Sequence, residues 1–164
     1  MTKQYCELNK MDIKPGIGIG QIKFGISDEQ LIAILGKPIF VKEGECIEKS
    51  GDYSRELFYQ KDLSFTFDTK DSYRLGLITI RNSGHLLYGR DLIGLPMAFV
   101  KSIISKKVSE IPKYKNWSHE NALNHISLDY DKLGLCFWFD NDLLDEIQCS
   151  YLFHEDGDTV IWPK

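Results

Sequence analysis

The side chains of this chain that could do chemistry are densest near its C-terminus. His154 is followed within four positions by Glu155, Asp156 and Asp158. One imidazole beside three carboxylates could hold a metal ion that activates water, which is the chemistry of a small metal-dependent hydrolase. The spacing does not match the calcium loop of an EF-hand, and a charged turn before a final strand explains the same residues.

Other reactive side chains lack the spacing that catalysis needs. Ser83 and His85 do not stand in the G-x-S-x-G turn of a hydrolase. Cys136 and Cys149 lie in predicted strands among large apolar residues, where a buried and inert thiol is expected. We therefore interpret the chain as a non-catalytic protein without a cofactor or metal, and keep a small hydrolase or metal-dependent enzyme as the alternative.

Charge is distributed unevenly along the 164 residues. Residues 129–164 contain nine acidic and two basic side chains, a net charge of −7, whereas the whole chain carries −4. An acidic segment repels phosphates, so we expect no nucleic-acid partner there. It would attract a basic partner and steer its approach. A solvated acidic face that only keeps the protein soluble is the alternative.

The sequence does not predict a membrane segment. Met1–Met11 is polar and charged, unlike a signal peptide, and no apolar run approaches the roughly 20 residues that span a bilayer. The cysteines show neither C-x-x-C pairs nor the spacing of a disulfide framework, which is typical of a reducing compartment. They are Cys6, Cys46, Cys136 and Cys149. We therefore predict a cytoplasmic protein that does not bind membranes.

Two similar segments would supply the elements that position these residues. Gly25-Ile26-Ser27 opens a short helix over residues 28–35, and 69 positions later Gly94-Leu95-Pro96 opens another. Ser27 and Gln30 have the spacing of a capping box. The strand patterns that follow also repeat, since Leu57-x-Tyr59-x-Lys61 is echoed by Leu128-x-Tyr130-x-Lys132, and Leu63-x-Phe65-x-Phe67 by Leu135-x-Phe137-x-Phe139.

These repeats predict a single α+β domain over residues 1–164, built from pseudo-repeated units at about 16–82 and 84–153. Each unit would be a helix plus antiparallel strands, with both helices on one side of the sheet. Chance similarity between two ordinary hairpins remains the alternative. A pocket between the units would suit a small-ligand-binding protein.

Finer expectations follow from the hydrophobic periodicity. A stripe of apolar residues should pack the second helix on the sheet: Phe99, Val100, Ile103 and Ile104. The strand over residues 73–81 should turn three side chains to one face: Leu75, Leu77 and Thr79. Residues 43–52 and 108–124 lack periodicity and are predicted to be loops.

The strongest candidates for a binding site lie on one predicted strand and the turn after it. Phe137 and Phe139 point toward one face of the strand, so Trp138 faces the other. Its expected aromatic neighbours are Tyr130, Tyr151 or Phe153. Four acids would rim this aromatic patch: Asp140, Asp142, Asp145 and Glu146. Such a patch is typical of a protein-binding site, unless the first unit covers that face.

The segment Pro15–Pro38 carries a resemblance to known proteins. Its form, G-x-I-x-x-G-x-S followed by L-I-x-x-L-G-x-P, is similar to the helix-plus-sheet modules of outer-membrane assembly lipoproteins and tandem-repeat β-lactamase inhibitor proteins. It also resembles bacterial toxin-immunity proteins, including those of contact-dependent inhibition systems. That resemblance implies a cytoplasmic immunity protein that binds a cognate toxin, which would be basic if it acts on nucleic acid. No family site residues carry over, and the oligomeric state stays open.

Overall fold

The protein is described here by a computed structural model that covers most of the chain. The described residues are 10–45, 51–59, 62–81 and 83–164. The expectations for the repeated Lys61, for the unit boundary at 82 and for the thiols of Cys6 and Cys46 lie outside those ranges.

Strands dominate the described residues, and two helices accompany them, so the fold is α+β as predicted. The helices are α1 (Asp28–Leu35) and α2 (Met97–Ser105), with a 3-10 turn at Thr69–Asp71. Neither helix in the described ranges is long and apolar enough to cross a membrane. The strands are β1 (Asp12–Lys14), β2 (Gly18–Ile19), β3 (Ile22–Lys23), β4 (Phe40–Glu45), β5 (Tyr53–Tyr59), β6 (Leu63–Asp68), β7 (Arg74–Ile80), β8 (Leu86–Leu87), β9 (Lys113–Asn116), β10 (His125–Tyr130), β11 (Leu135–Asp140), β12 (Leu143–Ser150), β13 (Leu152–Phe153) and β14 (Val160–Ile161).

The main sheet has eight antiparallel strands in the order β4-β5-β6-β7-β12-β11-β10-β9. Each half of the sheet is a four-stranded antiparallel series that follows one helix in the chain. The last strands of the two series, β7 and β12, pair at the centre, where Ile80 lies opposite Ile147. Strands β3-β2-β1-β8 form a smaller sheet, and β13 pairs with β14.

Helix α1 begins where the sequence predicts because its first turn is capped locally. The Ser27 hydroxyl accepts a hydrogen bond from the Gln30 amide at 3.2 Å, and the Gln30 side chain accepts one from the Ser27 amide at 2.9 Å. This is the predicted capping box. The helix ends before Gly36, whose φ of +81° is a conformation that glycine adopts without strain.

One face of the main sheet is buried against the core. Phe65 and Phe67 of β6 and Phe137 and Phe139 of β11 are fully buried, and they belong to the same apolar cluster as Leu31, Val100 and Ile104 of the helices. The side chains that alternate with the core residues form the second face, called the polar face. Its central members are Phe58, Ser64, Thr66, Thr79, Glu146, Gln148, Cys136, Trp138, His125 and Ser127.

A β-bulge corrects the predicted orientation of β7. Leu75 lies opposite Phe67, but Leu77 lies opposite Thr66, so Gly76 is an extra residue on β7. Leu77 and Thr79 therefore face the polar side, and the expectation that they share a face with Leu75 is wrong. A strict two-residue alternation cannot anticipate a bulge, since the extra residue reverses every following side chain.

The second half of the sheet contains a bulge at the matching place. Phe139 of β11 lies opposite Leu144, and Trp138 lies opposite Glu146. Asp145 is therefore the extra residue on β12, and it is exposed. It stands 69 positions after Gly76, the spacing that separates the two helix openings.

Backbone contacts also recur at that spacing. The Gly25 amide donates to the Leu75 carbonyl at 2.9 Å, and the Gly94 amide donates to the Leu144 carbonyl at 2.8 Å. Each bond joins a glycine three positions before a helix to a strand of the half-sheet that follows that helix in the chain. The same contact is thus made once in each half of the chain.

Ring packing repeats as well. Tyr59 meets the edge of Phe65 with ring centroids 5.7 Å apart and planes at 82°. Tyr130 meets Phe137 at 5.7 Å and 86°. Both pairs are edge-to-face contacts inside the core, the geometry that aromatic rings prefer.

Three other expectations need correction. Residues 43–45 belong to β4, and residues 113–116 form the edge strand β9, although both stretches were predicted to be loops. Phe99 was expected to pack on the sheet, but 51% of it is exposed. Every residue of β9 is exposed, so an edge strand of this kind shows no apolar alternation for the sequence to reveal.

Candidate protein-binding site on the polar face

An aromatic cluster lies on the polar face near the β9 edge of the main sheet. It consists of Trp117, His125 and Trp138. The Trp138 ring stacks on His125 with centroids 5.2 Å apart and planes at 27°, and it lies 5.7 Å from Trp117. The three side chains come from the end of β9, from β10 and from β11, so hydrogen-bonded strands hold the cluster in place.

Trp117 is positioned by its backbone and by its indole N–H. Its amide donates to the His125 carbonyl at 2.8 Å, which continues the pairing of β9 with β10. Its Nε1 donates to the hydroxyl of the buried Ser127 at 3.0 Å. Lys115 Nζ lies over the ring, 5.9 Å from its centroid, and 48% of the residue is still exposed. A tryptophan that is held rigidly and still half exposed loses little entropy when it binds a partner.

Trp138 has an unsatisfied polar atom. Its Nε1 is buried and has no hydrogen-bond partner among the described residues. A buried donor without an acceptor costs about 1–3 kcal/mol. The atom is enclosed by the protein, so an acceptor of a bound partner would reach it only if the surrounding side chains moved.

Of the four acids predicted to rim the patch, Glu146 is engaged within the protein. It lies opposite Trp138, and its Oε2 accepts from Arg81 Nε at 2.6 Å in an ion pair. Its other oxygen accepts from Gln148 Nε2 at 2.6 Å. Glu146 is therefore placed beside the cluster, but Arg81 compensates its charge.

The other three acids, which we call the hairpin acids, are Asp140, Asp142 and Asp145. All are exposed, and no ion pair involves them within the described residues. Asp140 lies opposite His125 of the cluster. Asp142 is in the predicted turn between β11 and β12, where φ is +71°, and Asp145 is the bulged residue. The hairpin acids thus leave uncompensated negative charge along one side of the aromatic cluster.

Two further acids of the C-terminal segment are neutralised. Asp129 pairs with Lys115 at 2.9 Å, and Asp131 pairs with Lys113. Both lysines come from β9, outside the acidic segment of the sequence. The negative surface is therefore narrower than the charge of residues 129–164 suggests. Its exposed acids without an ion pair among the described residues are divided between the β11–β12 hairpin and the turn before β14, which holds Glu155, Asp156 and Asp158.

The aromatic neighbours of Trp138 differ from those expected. Tyr130 is buried on the core face against Phe137. Tyr151 packs against Phe153 and against Trp162. Trp117 supplies the contact instead, and the sequence contained no signal for it because its segment lacks strand periodicity.

The cluster and the hairpin acids together offer a rigid aromatic surface and three exposed carboxylates. No protein-family model, curated protein or solved structure matches this chain. Ring contacts and charge attraction are the interactions that these side chains can make with a partner.

A cleft of about 570 Å³ opens near the start of β11 and the end of β12, and none of the three rings of the aromatic cluster lines it. Its lining includes Cys136, Gln148 and Ser150 of the polar face, and Phe153 and His154 after β12. Its volume falls in the range of small-molecule sites. Because the cleft borders the polar face, a partner docked on the polar face would also contact the rim of the cleft.

The predicted metal candidate is built as a turn. Asp156 accepts hydrogen bonds from the Thr159 amide at 2.8 Å and from the Asp158 amide at 3.0 Å. The bonds from Thr159 are the main cause that lowers the pKa of Asp156 to about 2. Among the described residues no three His, Cys, Asp or Glu side chains gather where they could hold a metal ion. The local geometry is therefore that of the charged turn named above as the alternative.

The Cys136 thiol should react slowly with alkylating reagents. Burial, and then the Asp129 carboxylate that accepts its hydrogen bond, raise its pKa far above the ordinary value, while Lys115 opposes this only in part. A higher pKa leaves less thiolate at pH 8, and the thiolate is the reactive form. We expect iodoacetamide to label Cys136 at least about tenfold more slowly than free cysteine, as followed by mass spectrometry of its peptide.

Asp129→Asn tests the contribution of the Asp129 carboxylate to the raised pKa of the Cys136 thiol. Removing the carboxylate should lower the pKa of the thiol and speed labelling. Labelling of unchanged Cys136 as fast as free cysteine would contradict the assignment and reopen a nucleophilic role for this residue.

Proposed function

We propose that this protein binds another protein through the aromatic cluster and the hairpin acids, and that it acts without catalysis. The observation that carries the proposal is the half-exposed Trp117, which a hydrogen bond to Ser127 holds in place beside the ring of Trp138. Tryptophan is enriched among the few residues that dominate binding energy at interfaces. Trp117 and Trp138 are held in place on the face of the sheet, which suits them to contribute much of the binding energy at an interface.

The hairpin acids support a basic partner. These three exposed carboxylates, which form no ion pair with another described residue, would attract positive charge as the partner approaches. Many toxins that act on nucleic acid are basic, so the most specific form of the proposal is an immunity protein. It would neutralise a cognate toxin in the cytoplasm by covering the toxin's active site.

We infer that the binding face is built by duplication within a single domain. The mirrored strand order, the bulges at Gly76 and Asp145 and the amide bonds of Gly25 and Gly94 support two copies of one unit. Both helices contribute to one apolar cluster, which supports a shared core with the helices on one side of the sheet. Joining two half-sheets doubles the surface that can meet a partner.

The β4 edge of the polar face, at the opposite end from the aromatic cluster, supports a contact that extends over both half-sheets. Phe40 of β4 lies opposite Phe58 of β5, with ring centroids 5.6 Å apart. Phe40 is 57% exposed. A partner that spans the sheet would meet an aromatic group at each end, which fits an interface of about 800 Å² per protein.

Reversing two hairpin acids should slow association with the partner. Asp142→Lys combined with Asp145→Lys is expected to lower the association rate constant by about tenfold at low ionic strength, because steering depends on the net field at the site. The effect should shrink as salt screens the charges. Surface plasmon resonance at several salt concentrations measures both. Glu155→Lys with Asp158→Lys is the control, since it changes net charge equally but lies on the turn before β14.

Equal slowing in both double variants would show that only net charge matters, and would contradict the placement at the β11–β12 hairpin. Unchanged association in the hairpin variant would contradict steering by these acids.

Isolation of the partner tests the immunity function itself. The tagged protein is recovered from its native host at low and at high salt, and a stoichiometric companion is identified and expressed alone. The proposal expects a basic protein that arrests growth alone and is harmless when this protein is co-expressed. A companion that is harmless alone, or one whose toxicity persists beside this protein, would contradict it.

A further inference from the structure

A second surface with its own chemistry lies between α2 and the turn after β8. There a groove of about 390 Å³ is lined by Tyr88, Arg90, Phe99, Ser102, Lys106 and Lys107. None of these residues belongs to the polar face. The groove is therefore separate from the proposed partner-binding site.

Three cations converge on this groove without compensating acids. Arg90 comes from the turn after β8, and Lys106 and Lys107 follow the end of α2. Across the described residues none of the three takes part in an ion pair. The C-terminal end of a helix favours the two lysines, but Arg90 is not on the helix. An anion in the groove would relieve the repulsion among the three charges.

The groove also presents two aromatic rings. Tyr88 and Gly89 both have positive φ, +52° and +76°. Leu87 and Arg90 exchange backbone hydrogen bonds around them, which is the pattern of a tight hairpin turn. That turn favours Asn-Gly or Asp-Gly, so a tyrosine in it is unusual. The turn holds the Tyr88 ring within 5.4 Å of Lys107 Nζ, facing α2.

Phe99 stands on the other side of the groove. It is 51% exposed on α2, whereas Val100 and Ile104 of the same helix are buried. A flat group that enters the groove could therefore contact the Phe99 ring and the part of the Tyr88 ring that Lys107 leaves uncovered, with three cations in the lining.

We propose that this groove binds a phosphate-bearing ligand with a planar aromatic ring, which is the chemistry of a nucleotide. The phosphate would lie among Arg90, Lys106 and Lys107, near the Ser102 hydroxyl, and the base would pack against Tyr88 and Phe99. A volume of about 390 Å³ suits a ligand of that size. Base stacking on aromatic side chains and attraction between phosphates and cations are the forces by which proteins bind single-stranded nucleic acid without sequence preference. The same two forces would act on one nucleotide in this groove.

Titration calorimetry with adenosine monophosphate at low salt tests the proposal. We expect saturable binding with one ligand per chain. Binding should weaken at least about tenfold when Arg90→Gln, Lys106→Gln and Lys107→Gln are combined, because charged contacts dominate such sites. Lys101→Gln is the matched control, since Lys101 is exposed on α2 but does not line the groove. A thermal melt verifies that each variant is folded.

Separate arms identify the ligand. Phe99→Ala should weaken the binding of adenosine monophosphate several-fold and leave the binding of inorganic phosphate unchanged. A six-residue adenine oligonucleotide that binds much more tightly than the monophosphate would assign the groove to single strands. The proposal would be overturned if neither adenosine monophosphate nor the oligonucleotide bound. Equal losses of affinity in Lys101→Gln and in the triple variant would also overturn it, as would binding only of a glutamate-rich peptide that contains one phenylalanine. Asp142→Lys with Asp145→Lys should leave nucleotide binding unchanged, so this proposal and the proposed function can fail separately.

Discussion

Phe65→Ala and Phe137→Ala should each lower the free energy of unfolding by about 3–5 kcal/mol, and by similar amounts. Both rings are fully buried, and each meets a tyrosine edge-to-face at the same distance. Truncation removes buried apolar surface and leaves a cavity that neighbouring side chains fill only in part. Chemical denaturation followed by circular dichroism measures the change.

Phe99→Ala is the control for this pair. Its ring is half exposed, so its removal should cost less than about 1 kcal/mol. A single cooperative transition in all three variants is the expected behaviour of one domain. Two separate transitions, each sensitive to only one of the buried rings, would contradict a shared core. A large difference between the two buried positions would contradict their equivalence in a duplicated unit.

Trp138→Ala should weaken partner binding by at least about 30-fold, which corresponds to the roughly 2 kcal/mol that defines a dominant interface residue. The substitution removes the ring that contacts both Trp117 and His125. Without it the cluster loses its rigid packing as well as contact area. Isothermal titration of the folded variant with the purified partner measures the loss.

Trp162→Ala is the matched control for that experiment. Trp162 is also partly buried, but it packs against Tyr151 and beneath Arg74, away from the aromatic cluster. It should lower stability without changing the affinity of the folded protein. Equal losses of affinity in both variants would indicate a general effect of removing tryptophan, and unchanged affinity in Trp138→Ala would exclude the cluster as the anchor.

The elements that the sequence predicts well are those determined locally. Helix α1 occupies the predicted residues because Ser27, Gln30 and Gly36 specify both ends within one segment. Strand β6 also has the predicted bounds, since Leu63, Phe65 and Phe67 alternate without interruption. Both elements carry their signals within a few neighbouring residues.

Features that depend on the partner strand were mispredicted. The bulge at Gly76 is defined by its register against β6, and no local pattern announces it. The edge strand β9 contains Lys113 and Lys115, polar residues that a loop would also contain. Its strand conformation follows from pairing with β10, which only the folded sheet provides.

The candidate site was half predictable for the same reason. Alternation along β11 places Trp138 opposite the core, and the structure has it there. The partners of its neighbours come from distant segments. Trp117 directly follows β9 and contacts Trp138, and Arg81 of the first half forms an ion pair with Glu146 of the second. A count of charges along the sequence treats Glu146 as an unpaired acid. In the folded sheet its counterion is Arg81, which lies 65 residues away in the sequence.

Photo-crosslinking from position 117 tests most directly whether this face contacts a partner. Trp117→p-benzoylphenylalanine keeps an aromatic side chain at a half-exposed position of the aromatic cluster. Phe99→p-benzoylphenylalanine places the same group at a similarly exposed position on α2. Irradiation of the complex should yield a covalent adduct with the basic partner from position 117 and not from position 99. An adduct from position 99 alone would place the partner on α2 and contradict binding through the aromatic cluster.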